Sequence, residues 1–525
     1  MRLIVIGGGF AGVKCARELR KIFPKQDCEI VLFSCENHMV FYPLLAEVAA
    51  AAVNPKDMAA ALRQLLKNVH CRTEEIVDID FAQNTIIYSG AESLRTQMKY
   101  DHLVVASGNT SNVSFIPGMA EHAFTLKSIM DALHIQEHVI GQLEKAELEK
   151  NPTKKSLLLK FVVVGGGFSG VELAGELNDF LKRSAQFYSN FTREEIEVVL
   201  IHAHDQILPE VGPSLREFAR KKMSGRGVKF ILNASAAQCT AEGVKLKDDT
   251  FINAKTIICT IGSRALPMIA ALPIPKEKER IRVNADMSIP GFDNAWAIGD
   301  CAAVMNAVDG ALSPTTGQFA ERQGAQVAKN IERRTKGQGT LPFKHTSLGT
   351  LCSIGGKSAV AEMFNFRVSG LPAWFIWRGV YLLKLPSFWQ RVKIGFTWAF
   401  ELFFPPSLTY VATDDANAIV FSNFSSGDYV FRTGEPSRNF YMIESGEIEV
   451  IEIVNGAESV IRVLQSGDFF GETSLSQKRE HNHSCRAKSD CTIVVMGKNI
   501  FGHLSTRYQP FKERLVEAAQ RRATP

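Results

Sequence analysis

The 525-residue chain has few cysteines, ten in all, and they make no CxxC pair, no cysteine–histidine zinc spacing and no short disulfide ladder. That scarcity points to a reduced, cytoplasm-facing protein rather than a disulfide-stapled one. No run of about 18 uncharged apolar residues occurs, so a spanning helix is not expected. Charge of one sign is also lacking. Sixty Lys and Arg stand against 55 Asp and Glu, and the net +5 is spread along the chain, so nucleic acid is not an expected partner. The first apolar run begins at Arg2, which leaves no room for a signal peptide. No helix-turn-helix fits after Arg522, so a transcription factor is not expected.

What is present is ordinary globular composition, 46% hydrophobic and 22% charged, in a chain long enough for roughly three or four domains. Two stretches repeat one grammar. "LIVIGGGFAGVKCAREL" (Leu3 to Leu19) has an apolar run, then Gly7, Gly9 and Gly12 in the order GxGxxG, then a helical pattern from Val13. "FVVVGGGFSGVELAGEL" (Phe161 to Leu177) repeats it with Gly165, Gly167 and Gly170, and a helix expected over Val171 to Leu181. In such a strand–turn–helix the first glycine permits the tight turn. The second lets backbone approach a pyrophosphate, and the third lets helix and strand pack. The helix N-terminus then offers free N–H groups to the phosphates. One such turn suggests a dehydrogenase. Two suggest that both redox partners are dinucleotides, FAD and NAD(P)H, with the flavin as relay.

Two further segments fit this plan. "NAWAIGDCAA" (Asn294 to Ala303) reads as a strand ending at Gly299-Asp300 with a helix after it. It would return the chain to the FAD domain, with Asp300 toward the ribityl chain or serving as a helix N-cap. "TIICTIGSRALP" (Thr256 to Pro267), with Gly262, would close the NAD domain. The acidic residue expected after the second strand of each domain is missing. Ser34 holds that place in the first domain, with Glu36 two residues on, and His202 holds it in the second. NADH is the expected reductant, and NADPH remains open.

These motifs, with "ENHMVFYPLLAEVA", "TGQFAERQGAQVAKNI" (Thr316 to Ile331), "SIGGKSAVAEM" and "SGLPAWFIWRGVYLLKLPSFWQR" (Ser369 to Arg391), resemble the type II NADH:quinone oxidoreductases, single-subunit respiratory dehydrogenases that do not pump protons. The resemblance runs from about Met1 to Val411. It implies that Glu172 sits beside the nicotinamide, that Gln318 and Gln323 lie on a quinone-site helix, and that Lys357 lies near flavin and quinone. It also implies a homodimer. Each residue has a plainer account: a glutamate favoured in a first helical turn, polar residues on a helix face, a solvated loop lysine. Cys28 and Cys35 lack the spacing of disulfide reductases, and the intact second turn speaks against sulfide:quinone reductases.

Residues 372 to 404 hold four of the five tryptophans, Trp374, Trp377, Trp389 and Trp398, interleaved with Arg378, Lys384, Arg391 and Lys393. Pro386 divides them into two amphipathic pieces. The expected role is a monotopic anchor on a lipid bilayer surface, with the tryptophans at the interface; a buried helix pair or dimer contact is the alternative. From Asn417 on, short strands and glycine turns suggest a β-roll. "GDFFGETSL" (Gly467 to Leu475) is similar to cyclic-nucleotide-binding domains. There Gly471 and Glu472 would meet ribose and phosphate. His481 stands near the place of the phosphate-pairing arginine, with Arg479 close by; this makes a cyclic nucleotide a doubtful ligand.

The expected fold class is therefore α/β: two Rossmann-like dinucleotide-binding domains, an amphipathic anchor and a C-terminal β-roll. The expected divisions are an FAD domain over 1–115, a connection over 116–155, an NAD(P)H domain over 156–275, the rest of the FAD domain over 276–345, a quinone-site and anchor segment over 346–412 and the β-roll over 413–525. The expected reaction is NADH oxidation with quinone reduction at the cytoplasmic face of the cell inner membrane. Another NAD(P)H-dependent flavoprotein reductase, or a cyclic-nucleotide-responsive redox sensor, is the alternative.

Overall fold

The computed structural model describes residues 1–89, 95–113, 115–364, 366–400, 403–409, 419–424, 426–433, 439–454, 457–471 and 481–497. Two compact units divide the chain, Met1–Tyr410 and Val411–Pro525.

In the first unit the chain begins with β1 (Arg2–Ile6), α1 (Phe10–Ile22), β2 (Glu29–Phe33), the short α2 (Leu45–Ala49), β3 (His70–Arg72) and β4 (His102–Val105). It then lays down β5 (Phe124–Thr125), α3 (Ile129–Leu148), β6 (Lys160–Val164), α4 (Phe168–Ser184), β7 (Glu197–Ile201), β8 (Val228–Ile231) and β9 (Thr256–Cys259). β10 (Ala295–Ala297) follows, and the long α5 (Gly317–Thr335).

The first sheet has the order β10-β4-β1-β2-β3, and the second β5-β9-β6-β7-β8. Every pairing in both is parallel. Four strands of each sheet are thus wound alike, each with its glycine turn after the central strand, while the edge strand comes last in the chain in the first sheet and first in the second. Parallel strands covered on both faces read as unbroken apolar runs; in the second sheet one face meets α4 and the other a small antiparallel sheet over 236–253. Ile4, Val5, Phe161, Val162 and Val163 are accordingly all fully buried. β10 returns the chain to the first sheet beside β4, as "NAWAIGDCAA" suggests. The helix expected after it does not form there. Gly299–Cys301 makes one 3-10 turn, Ala302–Ala303 enters another sheet, and the helix waits until Gly317. Asp300 lies inside that turn, whose cap is Ile298.

After α5 comes a three-stranded antiparallel sheet, β11 (Thr350–Ser353), β12 (Ala359–Met363) and β13 (Phe366–Gly370). Two helices follow, α6 (Leu371–Lys384) and α7 (Phe388–Phe400), parted at Pro386 as the sequence implies. No helix among the described residues is long and apolar enough to cross a membrane.

The second unit contains two four-stranded antiparallel sheets around Phe431, Tyr441, Ile443, Ile448, Leu464, Phe470 and Ile493. Glu472 and Arg479 lie outside the described residues. His481 is buried, its ring stacked on Phe431 at 3.6 Å and 12°.

Candidate active site

Each glycine turn is a cradle at the start of a helix. Gly7 and Gly165 take positive φ, +115° and +124°, which turns the strand into the helix where a side chain would strike Ala106 or Thr260. Gly12 packs on Gly7, and Gly170 on Gly165, closing helix onto strand. Gly9 and Gly167 are different. A Cβ on either would meet nothing within 4 Å. Each is the N-cap of its helix, without a side chain bonded across the end, so the first N–H groups face open space. An open second glycine beside free helix N–H groups is what a pyrophosphate needs, so both cradles fit a dinucleotide.

The residue after the second strand of each sheet abuts the middle glycine of the turn. Ser34 Oγ stands against Gly8, and the His202 ring against Gly166, leaving no room for a Cβ there. This explains the extra glycine in both GGG runs. Gly166 N–H donates to His202 Nδ1 at 3.0 Å, and Nε2 is buried with the Gln206 backbone as polar neighbour. Burial, and next the nearby His204, pull the His202 pKa down, so the ring is neutral near pH 7. Glu36 is exposed. Gly262 (φ +80°) crosses Asn112 where Ser263–Arg264 pairs with Thr110–Ser111. Its counterpart in the first sheet, Gly108 (φ +73°), stands in open space. Gly108 was missed by sequence reasoning, although aligning the two copies, "LVVASG" with "IICTIG", would have found it.

Gly299 and Asp300 follow β10 at the carboxyl edge of the first sheet. Gly299 N–H donates to Gln323 Oε1 at 2.7 Å, and Gln323 is 3% exposed. Burial raises the Asp300 pKa, against a lowering pull from Lys127 and then Arg280. Gln318 is half-buried, and its Oε1 is taken by His345 Nε2 and Leu348 N–H, both at 3.0 Å. The two glutamines therefore face different partners; five residues apart, they stand about 140° apart around the helix.

Glu172, one turn into α4, is buried with 9% exposure. Burial drives its pKa from 4.5 up to about 8, although Ser353 N–H donates to its Oε1 at 3.3 Å. Glu176 adds to the rise, and the Trp377 indole, whose N–H has no well-formed hydrogen bond, pulls weakly the other way. Ser353 Oγ donates to Glu176 at 2.8 Å. An aromatic chain joins this carboxyl to the first turn. Tyr381, which feels the Glu172 charge, lies 4.8 Å from Trp377 and 6.0 Å from Phe41. Phe41 lies 5.8 Å from Phe10, the residue after Gly9, and Phe10 abuts the start of α5 at Gly317. Both turns, α5 and α6 thus meet in one place. Lys357 is not brought there. It is exposed at the tip of the β11–β12 hairpin, where the neighbouring Gly356 N–H bonds Asp179. Asp179 is seven residues beyond Glu172, about 10 Å along α4.

The amphipathic helices depart from expectation. Trp374, Trp377 and Trp398 are 5%, 1% and 4% exposed and belong to the core that also holds Phe161 and Val163. Arg378 lies over the Trp374 and Trp398 rings at 4.0 and 4.8 Å, and Trp398 Nε1 donates to buried Glu47 at 2.8 Å. These three indoles therefore pack inside rather than face a bilayer, Trp374 and Trp398 against Arg378 and Trp377 against Tyr381. The outward face is Phe375, Phe388, Trp389, Phe396, Phe400, Phe403 and Phe404, all more than half exposed.

Residues 1–324 match the pyridine nucleotide-disulphide oxidoreductase family. The chain belongs to this family. Two further matches extend along this pyridine nucleotide-disulphide oxidoreductase, the NDH2 C-terminal domain at 347–405 and the cyclic nucleotide-binding domain at 421–508. A type II NADH:quinone oxidoreductase of Staphylococcus aureus (strain MSSA476) is 29% identical over 383 residues, 71% of this chain and 92% of the relative. The structure of NDH2 from Plasmodium falciparum in complex with NADH superposes with a TM-score of 0.73 at 18% identity, covering 78% of this chain and 99% of that one. The sulfide:quinone oxidoreductase of Aquifex aeolicus superposes with a TM-score of 0.59 at 19% identity, covering 77% and 95%. These two likenesses show the fold. Cys28 and Cys35, the pair that lacks the spacing of disulfide reductases, are both free thiols, Cys28 buried and Cys35 exposed.

Proposed function

We propose that the chain is a type II NADH:quinone oxidoreductase, holding FAD at the first cradle and receiving NADH at the second. The observation that carries the reading is the pair of parallel sheets whose open second glycines, Gly9 and Gly167, begin helices that meet at one aromatic site. When bound, FAD supplies the relay that accepts a hydride and returns two electrons.

The residues act by placement. The backbone at Gly7, Gly9 and Gly12 cradles the flavin pyrophosphate, and Glu36 takes the adenosine ribose. Gln323 fixes Gly299, which sets Asp300 toward the ribityl chain. The backbone at Gly165, Gly167 and Gly170 receives the nicotinamide dinucleotide. Glu172 carries its proton near pH 7, so the neutral carboxyl can both donate to and accept from a carboxamide. The Oε1 of Gln318 is occupied, which leaves its amide N–H groups to donate to a quinone carbonyl. Phe10, Phe41 and Tyr381 supply apolar walls that exclude water. Ordered geometry rather than an acid or base supplies most of the rate, in a ping-pong sequence. Lys357 has no part in this arrangement.

The outward phenylalanines support a peripheral, monotopic seat on the cytoplasmic face of the cell inner membrane, and the assembly we propose is a homodimer. His481, spent on packing against Phe431, does not support a cyclic nucleotide as ligand of the second unit. The test is anaerobic. NADH added to the flavin-loaded protein bleaches the flavin, and a short-chain quinone then restores it. Bleaching without recovery by quinone would overturn the acceptor; no bleaching would overturn the enzyme.

A further inference from the structure

The geometry points to His202 as the residue that lets this enzyme take NADPH as well as NADH. The inference rests on the function proposed above and deepens its second cradle. The two reductants differ only in a phosphate on the adenosine 2′-oxygen. An enzyme that rejects NADPH sets a carboxylate at the end of the second strand, where it bonds the free 2′-hydroxyl and repels the phosphate.

Here that place is filled on three sides. The His202 ring lies against Gly166, its Nδ1 receives the Gly166 N–H at 3.0 Å, and its Nε2 is buried beside the Gln206 backbone. Because Nδ1 accepts an amide hydrogen it carries no proton, and the ring is neutral. A neutral imidazole wedged onto the turn cannot repel a phosphate. It also holds the position that a carboxylate would need. His204 follows, its ring 5.2 Å from that of His202. Asp205, the first acid after β7, comes three residues on, in an exposed loop. The cradle therefore presents two imidazoles and no carboxylate at the point of discrimination. Ser34 against Gly8 is the same device in the flavin cradle, where no such choice arises.

The test uses the full-length, flavin-loaded protein with a short-chain quinone, NADH and NADPH being compared in parallel by kcat/KM. The wild type is expected to keep the two within about tenfold, the scale of discrimination left when no charge repels the phosphate. His202→Asp should move the ratio toward NADH by at least about tenfold, mainly by raising KM for NADPH. His202→Ala, which adds no charge, should stay near the wild-type ratio and so separates repulsion from lost packing. A wild type that favours NADH by more than about a hundredfold, while NADH still bleaches the flavin, overturns the inference and leaves the proposed function standing. An unmoved ratio in His202→Asp does the same. Failure of both nucleotides to reduce the flavin overturns the two together.

Discussion

Replacing Glu172 by glutamine should make the protein more stable, and increasingly so as pH rises. The carboxyl is buried, and its pKa in the folded protein is about 8 against an ordinary 4.5. Between those values the unfolded chain has lost the proton and the folded chain still holds it. The folded state therefore binds more protons, and stability must fall with rising pH. Each tenfold difference in proton affinity between the two states is worth about 1.4 kcal/mol, so from pH 5 to pH 8 the wild type loses roughly 3–4 kcal/mol that glutamine, which does not titrate, keeps. Unfolding entropy is about 2.1 cal/mol/K per residue. Over the Met1–Tyr410 unit that is about 0.9 kcal/mol/K. The Tm gap in favour of Glu172→Gln should thus widen by about 4 °C across this range. The assay is melting of the flavin-loaded wild type and variant side by side at pH 5, 6, 7 and 8. Parallel Tm curves would refute the reasoning, because they would mean that Glu172 ionises as freely in the folded protein as in water.

Three further outcomes are expected. Gly166→Ala should raise KM for NADH at least about tenfold by driving a methyl into the His202 ring, and adding His202→Gly should recover much of the loss; KM for the single and double variants decides this. Gln323→Ala leaves the Gly299 N–H without its acceptor at a cost of about 1–3 kcal/mol, so flavin should dissociate roughly 5- to 150-fold more readily, as read by ultrafiltration of the loaded protein. Changing Phe396, Phe400 and Phe404 to serine removes about 1.5–3 kcal/mol of apolar contact per side chain. The triple variant should lose vesicle binding in co-sedimentation and turn over lipid-dissolved quinone slowly, while NADH still bleaches its flavin.

The two dinucleotide folds were legible because their physics is local. Leu3–Ile6 and Phe161–Val164 are apolar on both faces since both faces are covered. The glycine order follows from turn and approach, which a sequence shows directly. The second unit was legible with one adjustment. Ile448 and Val450 alternate, then Ile451 breaks the phase, and at that step the pairing with the next strand skips Ile461, the extra residue of a bulge on the partner strand. What stayed hidden depends on contacts distant in the chain. Spacing places Gln323 on a helix but cannot say that its amide oxygen is taken by Gly299, 24 residues away. Tryptophans among basic residues read as an interface. The stacking of Arg378 between two indoles, and the Glu47 carboxylate 351 residues before its Trp398 donor, take Trp374, Trp377 and Trp398 inside and leave Trp389 with the outward phenylalanines. The place of Lys357 was hidden for a similar reason, since only the path of its hairpin along α4, where Gly356 bonds Asp179, sets where it stands.

The burial of Trp374, Trp377 and Trp398 bears on how this protein can be handled. Each indole hides about 200 Å² of surface, worth about 5 kcal/mol at roughly 25 cal/mol per Å². Cutting the chain before Leu371 to obtain a detergent-free enzyme would strip that filling from the wall behind Phe161 and Val163, and the remainder would collapse or aggregate. Solubility has to be gained from outside, by exchanging the outward phenylalanines while leaving the helices in place. The same fusion of greasy helices with catalytic scaffold gives the reaction cleft a fixed bearing on whatever surface those phenylalanines grip, as a keel is built into a hull rather than hung from it.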